Sequence, residues 1–155
     1  MMKLPLRGEY AIRALMTLGE HYGDQVVPIR VVSTQQKIPK RFLEQILNDL
    51  KSGGFVESKR GIAGGYRLAR SPEELVLAAV IRHMGGELEP AAGQSDKGGR
   101  RLAAQADAVQ SVIRSVMQEA AAAMMKVLER TTIADLCERA RQVRARQGAL
   151  IDYTI

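Results

Sequence analysis

The sequence predicts a mainly α fold: a winged helix-turn-helix domain followed by a long dimerisation helix. Three observations lead there. Over residues 1–70, helical periodicity recurs three times and closes on two short alternating runs around a glycine-rich tip, within "ESKRGIAGGYRLAR" (57–70). Between residues 102 and 130, apolar residues step alternately by four and three, the heptad spacing of a coiled-coil seam. The charge is also divided. Residues 1–70 carry 12 basic and 6 acidic side chains and residues 71–155 carry 11 of each, so the whole net charge of +6 lies in the first part.

Each element has its own reason. Ala11, Leu15, Leu18 and Tyr22 recur at helical spacing, with Ala14 beside them, and predict a helix from Arg7 to Tyr22 that ends at Gly23-Asp24. Val26 to Ile29 reads as a short extended piece. Arg30 to Lys37 reads as a short second helix with Val31 and Val32 as its apolar contacts. Pro39 pushes Ile38 out of the α region but fits a first helical turn, so it separates the second helix from the third. That third helix, Lys40 to Ser52, places Leu43, Ile46, Leu47 and Leu50 on one stripe, and Gly53-Gly54 stops it. Two strands follow, Phe55 to Lys59 and Tyr66 to Leu68, joined by a tip from Arg60 to Gly65. Leu75 to Leu77 reads as extended and Ala78 to Met84 as a short helix.

Residues 87–101 hold Pro90, several glycines and no apolar periodicity, which predicts a flexible loop. The long helix, Leu102 to about Arg130, has its seam at Leu102, Ala106, Val109, Ile113, Val116, Ala120, Ala123 and Val127. Thr131-Thr132 interrupts. Ile133 to about Gln147 predicts a last, arginine-rich helix, and Leu150 to Ile155 reads as extended. The domains are therefore 1–86 (DNA-binding), 87–101 (loop) and 102–155 (dimerisation and C-terminal helices).

A helix, a strand, two helices and a hairpin in this order make a winged helix-turn-helix, whose third helix enters the DNA major groove. The exposed face of that helix offers Lys40 and Arg41 for phosphates or guanine, Glu44 for cytosine and Gln45 for adenine, with Asn48 beside them. Lys51, at the far end, reads as a solvated helix residue. In the wing, Gly61, Gly64 and Gly65 allow close backbone approach and positive φ. Arg60 suits a narrow minor groove, where the negative potential is strongest, and Lys59 and Arg67 suit phosphates.

These residues resemble a known family. "GEYAIRAL" (8–15), "FLEQIL" (42–47), "RGIAGGYRLAR" (60–70) and "TTIADL" (131–136) are similar to the Rrf-two (Rrf2) family of bacterial winged-helix regulators, which includes IscR, NsrR and CymR. The resemblance covers nearly the whole chain and is weakest over 87–101. It implies a homodimer with two DNA-reading heads on a partly palindromic promoter site, and a repressor role. It places the family's wing arginine on Arg60 and its base-reading positions around Lys40, Arg41, Glu44 and Gln45. Two departures stand out. Many relatives bind an iron–sulfur cluster through three cysteines before the long helix, but "GGELEPAAGQSDKGGRRLAAQ" (85–105) has none. Glu9 holds an acidic position that some relatives use as an outer cluster ligand, and here reads as a surface or salt-bridging residue. The second departure is Pro39, where the family commonly has a capping serine.

Other functions find little support. The single cysteine, Cys137, excludes an internal disulfide framework and a multi-cysteine metal site within one chain. His21 and His83 are far apart, and no nucleophile elbow or phosphate loop is present, so no catalytic residue, metal or cofactor is expected. No apolar run approaches the roughly 20 residues of a membrane span, and Met1 to Gly8 shows no stretch leading to a signal cleavage site. A cytoplasmic protein whose partners are double-stranded DNA and a second copy of itself is expected. Two alternatives stay open: control by an effector or protein partner docked on the C-terminal half, and a thiol redox switch at Cys137.

Overall fold

The first helix, α1 (Leu6–Glu20), is the hub of a computed structural model that describes residues 4–23, 26–85 and 102–152. Its buried side is broad: Ala11, Ala14, Leu15 and Leu18 are all at most 1% exposed. The alanines let neighbouring helices approach closely, while the leucines fill the space between them. Helices α2 (Ile29–Gln36), α3 (Lys40–Ser52), α4 (Leu77–His83) and α6 (Ile133–Asp152) all pack against α1. A half-buried polar network ties α1 to α2. Gln36 donates from Nε2 to Thr17 Oγ1 at 2.7 Å, Arg13 donates from Nε to Gln36 Oε1 at 3.3 Å, and Arg13 also donates to the Gln36 carbonyl.

The turn between α2 and α3 depends on Lys37, which takes the left-handed conformation at φ 52°. Ser33 secures it, donating its hydroxyl to the Ile38 carbonyl at 2.6 Å. Pro39 then starts α3 without a side-chain cap, as a proline must. The predicted stripe of α3 is buried in full, with Leu43, Ile46, Leu47 and Leu50 at most 2% exposed. Truncating any of these leucines to alanine would cost about 2–5 kcal/mol. The helix stops against Gly53, where a Cβ would lie 2.7 Å from the His83 and Phe55 rings.

Strands β1 (Val56–Lys59) and β2 (Gly65–Leu68) pair antiparallel in the register Val56↔Leu68, Glu57↔Arg67, Ser58↔Tyr66 and Lys59↔Gly65. Val56 and Leu68 face the core, whereas Glu57 and Arg67 face solvent. The expected extended piece at 26–29 is a single bridge, Val27↔Tyr66, and α2 already begins at Ile29. Pro28 sets that boundary with an extended ψ and accepts the amides of Val31 and Val32. A 3-10 turn at Pro72–Glu74 was not anticipated, and Leu77, expected as extended, opens α4.

Helix α5 runs Leu102–Arg130. "TTIADL" then makes a tight junction. Thr132 bridges Val76, while its hydroxyl accepts the Asp135 amide at 3.1 Å and its amide donates to Asp135 Oδ2 at 2.9 Å. This reciprocal pair is a capping box for α6. The hydrogen bonds from Thr132 hold the Asp135 carboxyl below its usual range. Helix α6 continues to Asp152, which corrects the expectation of a helix ending near Gln147 and an extended piece from Leu150. An interior glycine such as Gly148 costs only about 1 kcal/mol, and no proline follows to break the run. Residues 153–155 and the predicted loop at 87–101 lie outside the described residues.

The chain divides into two compact units, Met1–Gly86 with Leu128–Ile155, and Glu87–Val127. Helix α6 packs on α1 within the first unit.

Candidate nucleic-acid interface

Burying Leu43, Ile46, Leu47 and Leu50 forces the opposite face of α3 into solvent. Lys40, Arg41, Glu44, Gln45, Asn48 and Lys51 are all exposed there. One edge of this face joins the wing across a cleft of about 540 Å³. Its lining includes Arg30 from the first turn of α2, Lys40, Asn48 and Lys51 from α3, and Ser58, Lys59 and Arg60 from the wing. None of its lining residues is acidic.

The pairing of charges sharpens this picture. Among the described residues, Arg7, Arg13, Arg67, Arg82, Arg141 and Arg144 sit in salt bridges. The five cleft cations, Arg30, Lys40, Lys51, Lys59 and Arg60, sit in none of these. Lys51 donates only to the Ser58 hydroxyl, at 2.7 Å, which holds its ammonium beside the wing. Five uncompensated cations around one concave surface focus a positive potential there. Arg41, Glu44 and Gln45 lie on the same helix face but do not line the cleft.

The other predicted wing residues divide. Arg67 lies on the hairpin's outer face, 3.0 Å from Glu57 in a cross-strand ion pair. Gly61 has φ +112°, so the tip needs it as a glycine. Gly64 and Gly65 have different reasons. A Cβ on Gly64 would lie 2.4 Å from the Lys59 carbonyl oxygen, and one on Gly65 would lie 2.2 Å from the Val27 carbonyl oxygen. Gly65 is where the Val27 bridge meets the hairpin, with Val27 and Tyr66 exchanging hydrogen bonds of 2.8 and 2.9 Å. Sequence reasoning missed Arg30 and set Lys51 aside. Arg30 gave one signal, a cation in the first turn after Pro28. The role of Lys51 depends on a hairpin that follows it in the chain.

On α5, Val109, Val112, Ile113, Val116 and Met117 are between 49% and 64% exposed, and Ala106, Ala120 and Ala123 are exposed with them. Val127, 46% exposed, continues the seam, and the Leu102 side chain lies outside the described residues.

Cys137 is buried, its Sγ donating to the Met16 carbonyl at 3.5 Å. Burial pushes its thiol pKa up, and the Glu20 carboxylate adds to this. Glu9 is exposed and 3.9 Å from Arg13, as a salt-bridging residue would be.

A family model described as "Rrf2: Iron-dependent Transcriptional regulator" matches residues 4–139. The chain belongs to the Rrf2 family. It is a winged-helix transcriptional regulator, and relatives of the same kind surround it. It is 30% identical over 154 residues, 99% of this chain and all of that protein, to slr0846 of Synechocystis sp., which bears the name of an HTH-type transcriptional regulator. It is 39% identical over 80 residues, 52% of this chain and 48% of that protein, to the HTH-type transcriptional regulator IscR of Aliivibrio salmonicida. The structure of T. potens IscR superposes with a TM-score of 0.71 at 26% identity, covering 92% of this chain and 90% of that one. CymR, the global cysteine regulator of B. subtilis, superposes at 0.70 with 24% identity over 90% of this chain and 98% of its own, a likeness of fold alone.

The residues present do not fit a cluster held by three cysteine thiolates. Iron–sulfur clusters are held mainly by cysteine thiolates. This Rrf2 protein has one cysteine, and it is buried in the packing of α6 on α1. Residues 87–101 contain neither cysteine nor histidine. Among the described residues, no three His, Cys, Asp or Glu side chains converge.

Proposed function

We propose that this Rrf2 regulator is a repressor that binds a partly palindromic operator as a homodimer, without an iron–sulfur cluster. The observation that carries the reading is the cleft of five unpaired cations between α2, α3 and the wing. Helix α3 lies in the major groove, where Arg41 reads guanine, Gln45 adenine and Glu44 cytosine. Lys40, Asn48 and Lys51 lie along its edge toward the backbone. Arg30, Lys59 and Lys51 meet phosphates, and Arg60 enters the adjacent minor groove. The α5 seam supports the dimer, since Val109, Ile113 and Val116 would otherwise stay in water. Covering the exposed part of each such side chain gains about 1–2 kcal/mol.

The burial of Cys137 and its raised pKa count against a thiol switch, because the thiolate is the reactive form. The test is selection of bound duplexes from random DNA with full-length protein, followed by footprinting. Two inverted half-sites are expected, their centres about one helical turn or a multiple of it apart. Enrichment of no sequence, or of a single unsymmetrical site, would overturn the reading.

A further inference from the structure

The wing carries one side chain that the charge argument leaves unexplained. The hydrogen bond from the Gly64 amide to the Gly61 carbonyl, 2.9 Å, closes a turn with Ile62 and Ala63 at its two corners. Ile62 is 111% exposed, so it touches essentially nothing in its own fold. Among the described residues, no other large apolar side chain is more than 69% exposed, and all of these but Tyr22 lie on helices, where neighbouring residues shield part of them. A turn corner ordinarily takes proline, glycine or a small polar residue. A β-branched apolar residue there satisfies no local need. It follows Arg60 and Gly61, both of which line the cationic cleft, yet is not itself part of that lining. The tip thus presents a cation and, two residues later, a bare apolar side chain beyond it.

Proteins that work in the minor groove often press an apolar side chain between two base pairs, partly unstacking them and kinking the duplex. We infer that Ile62 is such a wedge, and that it gives the wing a preference for an easily unstacked step. This rests on the DNA-binding reading above. Arg60 would hold the tip in the groove by charge, and Ile62 would lean on the step beneath it. Pyrimidine–purine steps, TA and CA/TG, unstack most readily and are therefore the expected sequence under the tip. The specificity would lie at a position where no hydrogen bond is made to a base edge.

The experiment uses the full-length protein and a selected duplex, with fluorophores at its ends to report bending and 2-aminopurine at the step beneath the wing. Wild type, Ile62→Ser, Ile62→Leu and Arg60→Ala are compared on TA and GG versions of that step. Wild type should bend the TA duplex, brighten the 2-aminopurine and prefer TA over GG by about tenfold, about 1.4 kcal/mol. Ile62→Ser should still bind but lose the bend, the brightening and the preference. Ile62→Leu should keep all three. If Ile62→Ser bends and discriminates like wild type, the wedge is refuted while DNA binding stands. If wild type fails to bind any duplex, both the wedge and the DNA-binding reading fall.

Discussion

Replacing Arg30 with alanine should change how salt weakens DNA binding, by an amount the structure sets. Each cleft holds five unpaired cations, and Arg60 is assigned to the minor groove, so the proposed dimer offers about eight phosphate contacts at most. Binding that releases one counterion per contact falls with salt at a log–log slope of about −0.9 for each contact, giving about −7 as a ceiling. Arg30→Ala removes one contact per protomer and so two per dimer, and should flatten the slope by about 1.8. Between 50 and 200 mM salt this narrows the gap between variant and wild type by roughly tenfold. Arg30 is exposed and its side chain supports no packing, so the fold should be unchanged. Arg67→Ala is the control. That arginine already spends its charge on Glu57 at 3.0 Å, on the outer face of the hairpin. Its removal should leave the slope where it was. The assay is fluorescence anisotropy on operator and random duplexes across salt. An unchanged slope for Arg30→Ala, or an equal flattening by Arg67→Ala, would refute the assignment of cleft and outer face.

Three further outcomes are expected. Val116→Glu places a charge in the α5 seam and should convert a dimer into monomers in sedimentation at micromolar concentration; a wild type already monomeric there would sink the dimer. Gly65→Ala drives a methyl toward the Val27 carbonyl oxygen, 2.2 Å away, and should lower stability by about 1–3 kcal/mol in urea melts. Because burial raises the Cys137 pKa, the folded state holds that proton more tightly than the unfolded chain, so its contribution is complete below the ordinary thiol value of 9.0 and is lost as pH rises through the raised one. Stability should therefore fall as pH rises above about 9.0, and fall less in Cys137→Ala.

The parts legible in the sequence were those that depend on one element alone. The α3 stripe needs only helical period and four aliphatic residues, and all four proved buried. The hairpin needs only alternation around glycines. What could not be read were contacts between elements distant in sequence. Gly65 looks like any other tip glycine until Val27 is seen to pass 2.2 Å from where its Cβ would be. Arg30 and Lys51 meet only because α2, α3 and the hairpin converge on one cleft. The α6 boundary failed for a different reason. Gly148 is a weak stop signal, and the good helix formers after it outweigh its cost of about 1 kcal/mol.

The charge asymmetry was visible as 12 basic against 6 acidic side chains, but the sequence does not tell where the acids go. The fold places most of them away from the cleft. Glu9 faces Arg13, Asp49 pairs with Arg7, Glu57 pairs with Arg67, and Glu20 pairs with Arg144 at 2.8 Å. Each of these four carboxylates is matched to an arginine that does not line the cleft. Among the described acids of this part Glu44 is the exception, exposed on the α3 face between Lys40 and Asn48 and in none of the salt bridges formed there. A carboxylate held beside a phosphate-binding edge costs affinity for every sequence alike, unless a base amino group meets it. That cost is why Glu44 fits base reading better than backbone binding. Glu44→Ala should tighten binding to random DNA and narrow its gap to the operator. A variant that leaves the random-DNA affinity unchanged would show that Glu44 lies outside the interface.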